Sequence, residues 1–556
     1  MNPACAKQIK IAHASFIATK NKLIKMKKLL YTMFCMTLLG VTSCQKNFLE
    51  RPPLGVQTEN NFYQSPDAGF KSVVQVYQAF NNFYAYEAPR AELGNMATDD
   101  SEKGGSDAGD RPFVTDLGYG RALSSNVSLQ QFWAGCYAGI GSCNVALENL
   151  PKNELIDAQG YKLKETTKNR YLAEIKFLRA FWYFELVKVY GGVPLLDKTL
   201  TVDNSNKLKK ASALEIFNFI IQDLDAASAE VSLPSKNVNA AGEVGRVNKE
   251  AVWALQAKVY LFFAKDNISL FAKARDAAKK VIASNAYSLN TDFQAIFLQD
   301  GYKTREPIFT IVRGDNPALS IYGSFVPLYS SPRGPTGAWG FDTPTQDLVD
   351  EFEPGDPRLL FSVLESGDVF AKTTGQEVLN FTSYPGTGYH SRKTYLPQAR
   401  RGGGWGDDAW TFHPIRYADV LLMYAEALLE SGGNKQEVAD NINLVRQRAS
   451  NSRHTDAEAV SRVRTIATTP LPDVLASADL RKAVRHERRV EFAMEYQRLY
   501  DLIRWNTYIE TMNNFATKPK SNGKGSAFKK GINEVFPIPQ VEIDRSGGSI
   551  TQNPGY

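Results

Sequence analysis

Cysteine and histidine are scarce in this chain, five of each among 556 residues. Cys5, Cys35 and His13 fall in the first 43 residues, and Cys44 stands at a seam treated below. Cys136 and Cys143 remain, in text of helical period. At about 10 Å of helical rise they cannot bridge one another on one helix, so free buried thiols are expected. The sequence encodes neither a disulfide framework nor a Cys/His cluster of metal spacing. His390, His413, His454 and His486 are scattered singly, and HERRV (486–490) lacks the second His that a zinc helix requires. RRGGGW (400–405) has no strand–turn–helix setting and no Lys-Ser/Thr pair for a phosphate. A Gly-x-Ser-x-Gly nucleophile elbow is also absent.

The apparent excess of positive charge belongs to the start of the chain. Of 65 basic residues, seven Lys lie in 1–43, where none of the 59 acidic residues fall; the remainder carries 58 against 59. No polybasic tract is left for a nucleic acid. Met26-Lys27-Lys28 precedes the uncharged run LLYTMFCMTLLGV (29–41). A positive segment, a short apolar run and a small-residue exit describe a secretory signal. The run is shorter than the roughly 18 residues of a membrane span. Its exit, Val41-Thr42-Ser43-Cys44, resembles a bacterial lipobox. That resemblance implies a thioether-linked lipid on Cys44, which becomes the mature N-terminus and anchors the chain to a membrane. Residues 1–25, with five Lys and no acid, are expected to be a mis-set start extension, 26–43 the signal peptide and 44–65 a tether.

Beyond the tether, helical periods dominate. Phe70, Val73, Val74, Tyr77 and Phe80 share a face, as do Tyr171, Ile175, Leu178 and Trp182. The latter helix meets Gly191-Gly192 and Pro194, a stop signal. Further helices are expected at 214–227, 249–264, 273–283, 417–430 and 436–449. They pair at the length of tetratricopeptide units, with Ala251, Ala254, Ala257, Ala425 and Ala427 at close contacts. The expected fold is mostly α, one domain over 66–556: a tetratricopeptide-like stack at 66–284 and 415–510. A loop-rich, irregular half occupies 86–126 and 285–414, where Gly, Pro, Tyr, Ser and Thr abound. Long loops in a compact protein carry function.

Five stretches then resemble the SusD/RagB family of nutrient-binding lipoproteins from the Bacteroidota: AEIKFLRAFWYFELVKVYGGVPL (173–195), DLVDEFEPGDPR (347–358), IRYADVLLMYAEALLESG (415–432), RHERRVEFAMEYQRLYDLIRW (485–505), and FPIPQVEID (536–544) with the terminal QNPGY. They occur in order and reach the last residue. The resemblance implies a non-enzymatic protein on the outer face of the outer membrane. It would capture oligosaccharides as a lid on a SusC-like TonB-dependent transporter; a minority of the family handles peptides. It implies no cofactor, leaves calcium open and gives no nucleic-acid partner. Family lipoproteins often carry acids after the lipidated Cys, whereas Gln45-Lys46-Asn47 follows here. A helical-repeat adaptor with protein partners alone is the alternative of a different class.

The densest charges, Arg485 to Arg504, recur at i, i+3 and i+4. They are expected to form structural ion pairs rather than an acid–base site, as are Arg416, Asp419 and Glu426. Trp133, Trp182, Trp253 and Trp505 lie in helical text and are expected in the core. Sugar rings stack on flat aromatic faces while amides, carboxylates and guanidinium groups fix their hydroxyls. The candidate ligand residues are therefore Trp339, Trp405, Trp410, Tyr329, Tyr384 and Tyr389 from the middle loops. Asp99, Asp100 and Tyr119 from the early insert join them, since the family draws its ligand site from both regions.

Overall fold

The computed structural model describes residues 19–30, 62–200, 208–236, 243–314, 323–334, 337–371, 376–384, 386–397, 406, 408–452, 459–461 and 470–556. Cys44, residues 45–61 of the tether and Trp405 lie outside them. The chain divides into an N-terminal unit, Met1–Phe62, in which 19–30 are helical and exposed, and a second unit, Tyr63–Tyr556. Within the second unit the long helices are α1 (Ala68–Gln78), α2 (Val127–Asn149), α3 (Glu165–Tyr190), α4 (Ala213–Ala229), α5 (Lys249–Phe263), α6 (Leu270–Ala283), α7 (Tyr417–Glu430), α8 (Lys435–Asn451) and α9 (Leu480–Glu491). Consecutive members pack on each other from α2 to α8, and α6 packs on α7 although 284–416 intervenes in sequence.

Local chemistry sets the helix ends. Ser212 and Glu215 close a reciprocal capping box at the start of α4. Asn248 and Asn434 accept backbone N–H bonds at the starts of α5 and α8. α3 stops where Gly191 takes φ 67°, and its N–H returns to the Val187 carbonyl. From Tyr171 onward α3 is buried on nearly every side, so neighbours cover all its faces, and its buried charges are paired, Arg179 with Asp223 and Lys188 with Glu185. Gly139 of α2 permits one such approach: a Cβ there would sit 2.5 Å from the Trp182 indole. Ala251, Ala254, Ala257, Ala425 and Ala427 are all fully buried at the helix contacts. Trp133 and Trp182 join the core, whereas Trp253 and Trp505 are half-buried and bond Ser228 and Glu426 through their indole N–H groups.

The 285–414 segment departs from its reading as plain loop. It holds β2 (Pro307–Ile311), β3 (Phe341–Pro344), β4 (Val363–Glu365), β5 (Val369–Ala371), β6 (Gln376–Val378), β7 (Tyr389–Ser391) and most of β8 (Phe412–Arg416). β1 (Ser101–Gly104) and β9 (Ala459–Ser461) lie elsewhere. The strands form antiparallel pairs β1–β3, β2–β8 and β4–β7 and one triple, β6–β5–β9. Strands this short show little alternation for a sequence reading to detect. β8 runs directly into α7, so the insert is pinned to the stack at that junction.

The junction is held by charge. Arg416 Nη1 lies 2.7 Å from Glu306 and 2.5 Å from Glu491, and its Nε lies 2.9 Å from Glu495. Arg358, fully buried, reaches Asp356 at 2.7 Å and Glu487 at 2.5 Å. Arg446 and Arg448 add pairs to Glu487 and Glu306 at 3.0 and 2.6 Å. Asp419 of α7 joins Lys258 of α5 at 2.5 Å and Arg488 of α9 at 2.9 Å, and Glu426 pairs with Arg504. All of these charges but half-buried Lys258 and Arg504 are buried, and each has a partner, which is the condition for tolerating ions away from water. The charged helix is thus structural.

Candidate functional site

A cleft of about 470 Å³ opens where the early insert meets the end of the chain. β1 brings Glu102 and Lys103 to it; the short helix Pro112–Gly118 brings Val114, Thr115 and Asp116; Tyr119, Arg121, Tyr384, Asn522 and Lys524 complete the walls. β1 is placed by its partner strand, with Ser101 opposite Pro344 and Gly104 opposite Phe341. Gly104 has φ 78°, and a Cβ there would run into the Gly340 carbonyl, so this turn requires glycine. The short helix is anchored below. Arg111, at its N-cap, lies 2.6 Å from buried Glu92, which also accepts from the Tyr329 hydroxyl at 2.8 Å.

Two of the sequence-derived candidates meet in this cleft, Tyr119 and Tyr384. The Tyr119 hydroxyl donates to the Asn522 carbonyl at 3.3 Å, and the Arg121 guanidinium lies 4.9 Å from its ring centre. Burial, with the Glu102 charge adding, pushes the Tyr119 phenol up to about 12, so it stays an O–H donor at neutral pH. Tyr384 is 38% exposed, and the Lys103 ammonium stands 5.6 Å from its ring centre. Lys103 Nζ donates to the Asp107 carbonyl at 2.8 Å and to the Asp110 carbonyl. Burial lowers the Lys103 pKa against the pull of Asp110 and Asp107. Burial likewise raises Glu102 and lowers Lys524.

The other candidates hold the walls instead of facing the cleft. Asp99 and Asp100 are buried, paired with Arg489 at 2.9 and 2.8 Å, and Arg498 adds a contact to Asp99 at 2.8 Å. Burial alone would raise the Asp99 carboxyl, but Arg489 and Arg498 outweigh it and hold it well below the usual carboxylate range. These two acids are neither solvated nor open to a ligand. Tyr329 is wholly buried and stacks on Phe341 with ring centres 4.6 Å apart. Trp410 is buried in the same cluster, its indole N–H bonded to the Lys393 carbonyl at 2.9 Å. Tyr389 is buried against Val349 and Val363. Aromatic residues among glycines plug these loops because a short loop lacks other apolar volume to cover its backbone.

Trp339 is half-buried and belongs to a second aromatic surface. Its ring lies 5.9 Å from Phe83, which also touches Tyr84 at 5.0 Å and Phe325 at 5.5 Å. Tyr84 and Phe325 are 52% and 42% exposed. Arg333 bridges the two surfaces, donating to the Trp339 carbonyl and to Asp110, both at 3.1 Å. Sequence reasoning missed Tyr84, Phe325, Glu102, Lys103 and Lys524. Glu102 and Lys103 sit inside the flagged insert; Asn522 and Lys524 sit in SNGKGS (521–526), whose Gly/Ser/Lys composition marks a loop.

A helical-repeat scaffold carrying a polar, tyrosine-flanked cleft between its inserts defines a class of ligand-capture proteins, and comparison gives the family. A model described as the SusD family matches residues 305–556, and one described as starch-binding associating with outer membrane matches 64–261. The chain belongs to the SusD/RagB family. It is 26% identical to SusD-like protein P2 of Formosa agariphila, over 96% of this chain and all of that one. It is 24% identical to starch-binding protein SusD of Bacteroides thetaiotaomicron, over 72% and 75% of the two chains. The solved surface glycan-binding protein A from Bacteroides fluxus superposes with a TM-score of 0.71 at 25% identity, covering 90% of this chain and 100% of that one. Among the described residues no helix is long and apolar enough to cross a membrane.

Proposed function

We propose that this protein is a non-catalytic glycan-binding lipoprotein of the outer membrane. It is anchored through Cys44 and delivers oligosaccharides to a SusC-like TonB-dependent transporter. The observation that carries the reading is the cleft itself. Tyr119 and Tyr384 supply ring faces for the apolar C–H side of a sugar, and Glu102, Lys103 and Asn522 supply acceptors and donors for its hydroxyls. The names of the relatives, surface glycan-binding and starch-binding, support the same ligand class. The stack provides a rigid scaffold that leaves the helical face for the transporter.

Titration calorimetry of the purified protein against starch, laminarin and other neutral polysaccharides tests the reading. Tyr119→Ala and Tyr384→Ala are expected to weaken binding at least tenfold with the fold intact. Binding of peptides with no response to any saccharide would replace the glycan by a peptide ligand. Palmitate labelling that is lost in Cys44→Ser tests the anchor.

A further inference from the structure

Glu102 lines the cleft, is 4% exposed, and its Oε1 accepts no hydrogen bond among the described residues. The protein places cations near it without aiming their protons at that oxygen. Lys524, whose charge acts on Glu102, donates to the Ser101 carbonyl. Lys103, next in β1, donates to the carbonyls of Asp107 and Asp110. The Tyr119 hydroxyl donates to the Asn522 carbonyl, and Arg121 pairs with Asp116 at 3.4 Å. Several buried carboxylates elsewhere in this chain hold arginine or lysine donors directly, among them Asp99, Asp419 and Glu491. A buried acceptor without a partner beside a cleft is an incomplete hydrogen-bond pair.

Resting on the glycan reading above, we propose that Glu102 is the specificity-determining acceptor of the cleft. It takes a hydrogen bond from a saccharide hydroxyl and so selects neutral, unsubstituted glycans over acidic ones. A hydroxyl completes the pair as a charge-assisted bond, stronger than one between neutral groups. A uronate or sulfate bound against this carboxylate would set two like charges at contact distance, where their repulsion is greatest. A neutral polyol satisfies Glu102 without that conflict. Lys103 Nζ makes two hydrogen bonds among the described residues, so its third proton can return a bond to the ligand. Burial raises the Glu102 carboxyl, so acidification converts this acceptor to a donor earlier than for an exposed glutamate.

Calorimetry on the full chain tests this with neutral hexasaccharides (laminarihexaose, maltohexaose, cellohexaose) and with hexagalacturonate. The parent is expected to bind a neutral hexamer and to bind hexagalacturonate at least tenfold more weakly. Glu102→Gln is expected to weaken the neutral hexamer about tenfold and to strengthen hexagalacturonate, a reversal that general loosening of the fold would not produce. Glu102→Asp, which keeps the charge but withdraws it, is expected to fall between the two. Circular dichroism on the same samples checks folding. Unchanged neutral affinity in a folded Glu102→Gln, or equal binding of both ligand classes by the parent, overturns the role of Glu102 alone. Absence of any saccharide binding by the parent overturns the glycan reading with it.

Discussion

Arg489 Nε donates to Asp100 Oδ1 at 2.8 Å, joining residues 389 positions apart in the chain. The same guanidinium reaches Asp99, Asp347 and Glu351, each within 2.9 Å. One side chain of α9 therefore fixes the base of the early insert, two residues before Glu102 enters the cleft. Truncating it leaves buried carboxylates without a counter-ion, which costs about 3–5 kcal/mol for a buried pair. Arg489→Met is expected to lower the unfolding free energy by that amount in urea titrations and to weaken ligand binding as β1 loosens. A loss below about 0.5 kcal/mol, the size of an ordinary surface substitution, would show that the cluster is not holding the insert.

Trp410 separates a packing role from a binding role. It is 5% exposed and bonded through its indole N–H. Trp410→Ala is expected to destabilise by about 3–5 kcal/mol. Trp410→Phe, which fills most of the volume, should leave saccharide affinity within twofold. A folded Trp410→Phe that loses binding would place this ring at the ligand.

Asp342 gives a pH signature. It accepts from Ser101 Oγ at 2.6 Å and Asn95 Nδ2 at 2.9 Å, and burial pushes its carboxyl up to about 7 against those bonds and Lys524. A carboxyl with a folded pKa above its unfolded value of about 3.9 holds its proton more tightly when folded. Its contribution is complete below about pH 4 and is lost as pH rises through about 7. His390 and His413, held by burial at about 4, run the opposite way over nearly the same range. The difference between parent and Asp342→Asn isolates the aspartate. The variant is expected to gain on the order of 4 kcal/mol relative to the parent between pH 4 and 8. Asparagine tolerates the φ of 58° at this position. Parallel stability curves for the two proteins would refute the assignment.

Gly139→Ala tests the close approach of α2 to α3. The added methyl would meet Trp182 at 2.5 Å in a buried interface, and overpacking of this kind costs about 1–3 kcal/mol. Thermal denaturation should show a lower midpoint with ligand affinity unchanged at 25 °C. An unchanged midpoint would mean that α2 and α3 have room to separate.

The scaffold was legible because its signals are local. The expected helix 417–430 is the observed α7, and Gly191 ends α3 where the stop signal stands. The ionic role of Arg416, Asp419 and Glu426 was also readable, since helix-spaced charges of both signs have an evident use. The cleft was legible only in part. The family's use of the early insert pointed to Tyr119 and the rule that loop aromatics meet ligands pointed to Tyr384, and both line the cleft, but the same rule chose Tyr329, Tyr389 and Trp410, which fill loop interiors. Sequence does not tell an aromatic plug from an aromatic platform, because the difference lies in what covers the ring. Asp99 and Asp100 looked like ligand acceptors because Arg489 and Arg498 lie some four hundred residues away. Lys524 escaped notice for the same reason: it reaches Ser101 across 423 positions.

The packing of α6 on α7 across the intervening 284–416 has a consequence for how the chain is made. Ordinary repeat arrays can add units as they emerge, since each needs only its neighbour. Here α6 waits for more than a hundred further residues, and Asp99 and Asp100 wait for α9. A nascent or half-exported chain would expose the α6 face and two unmatched acids until its C-terminal quarter arrives, so it has reason to depend on holding chaperones while it crosses the envelope.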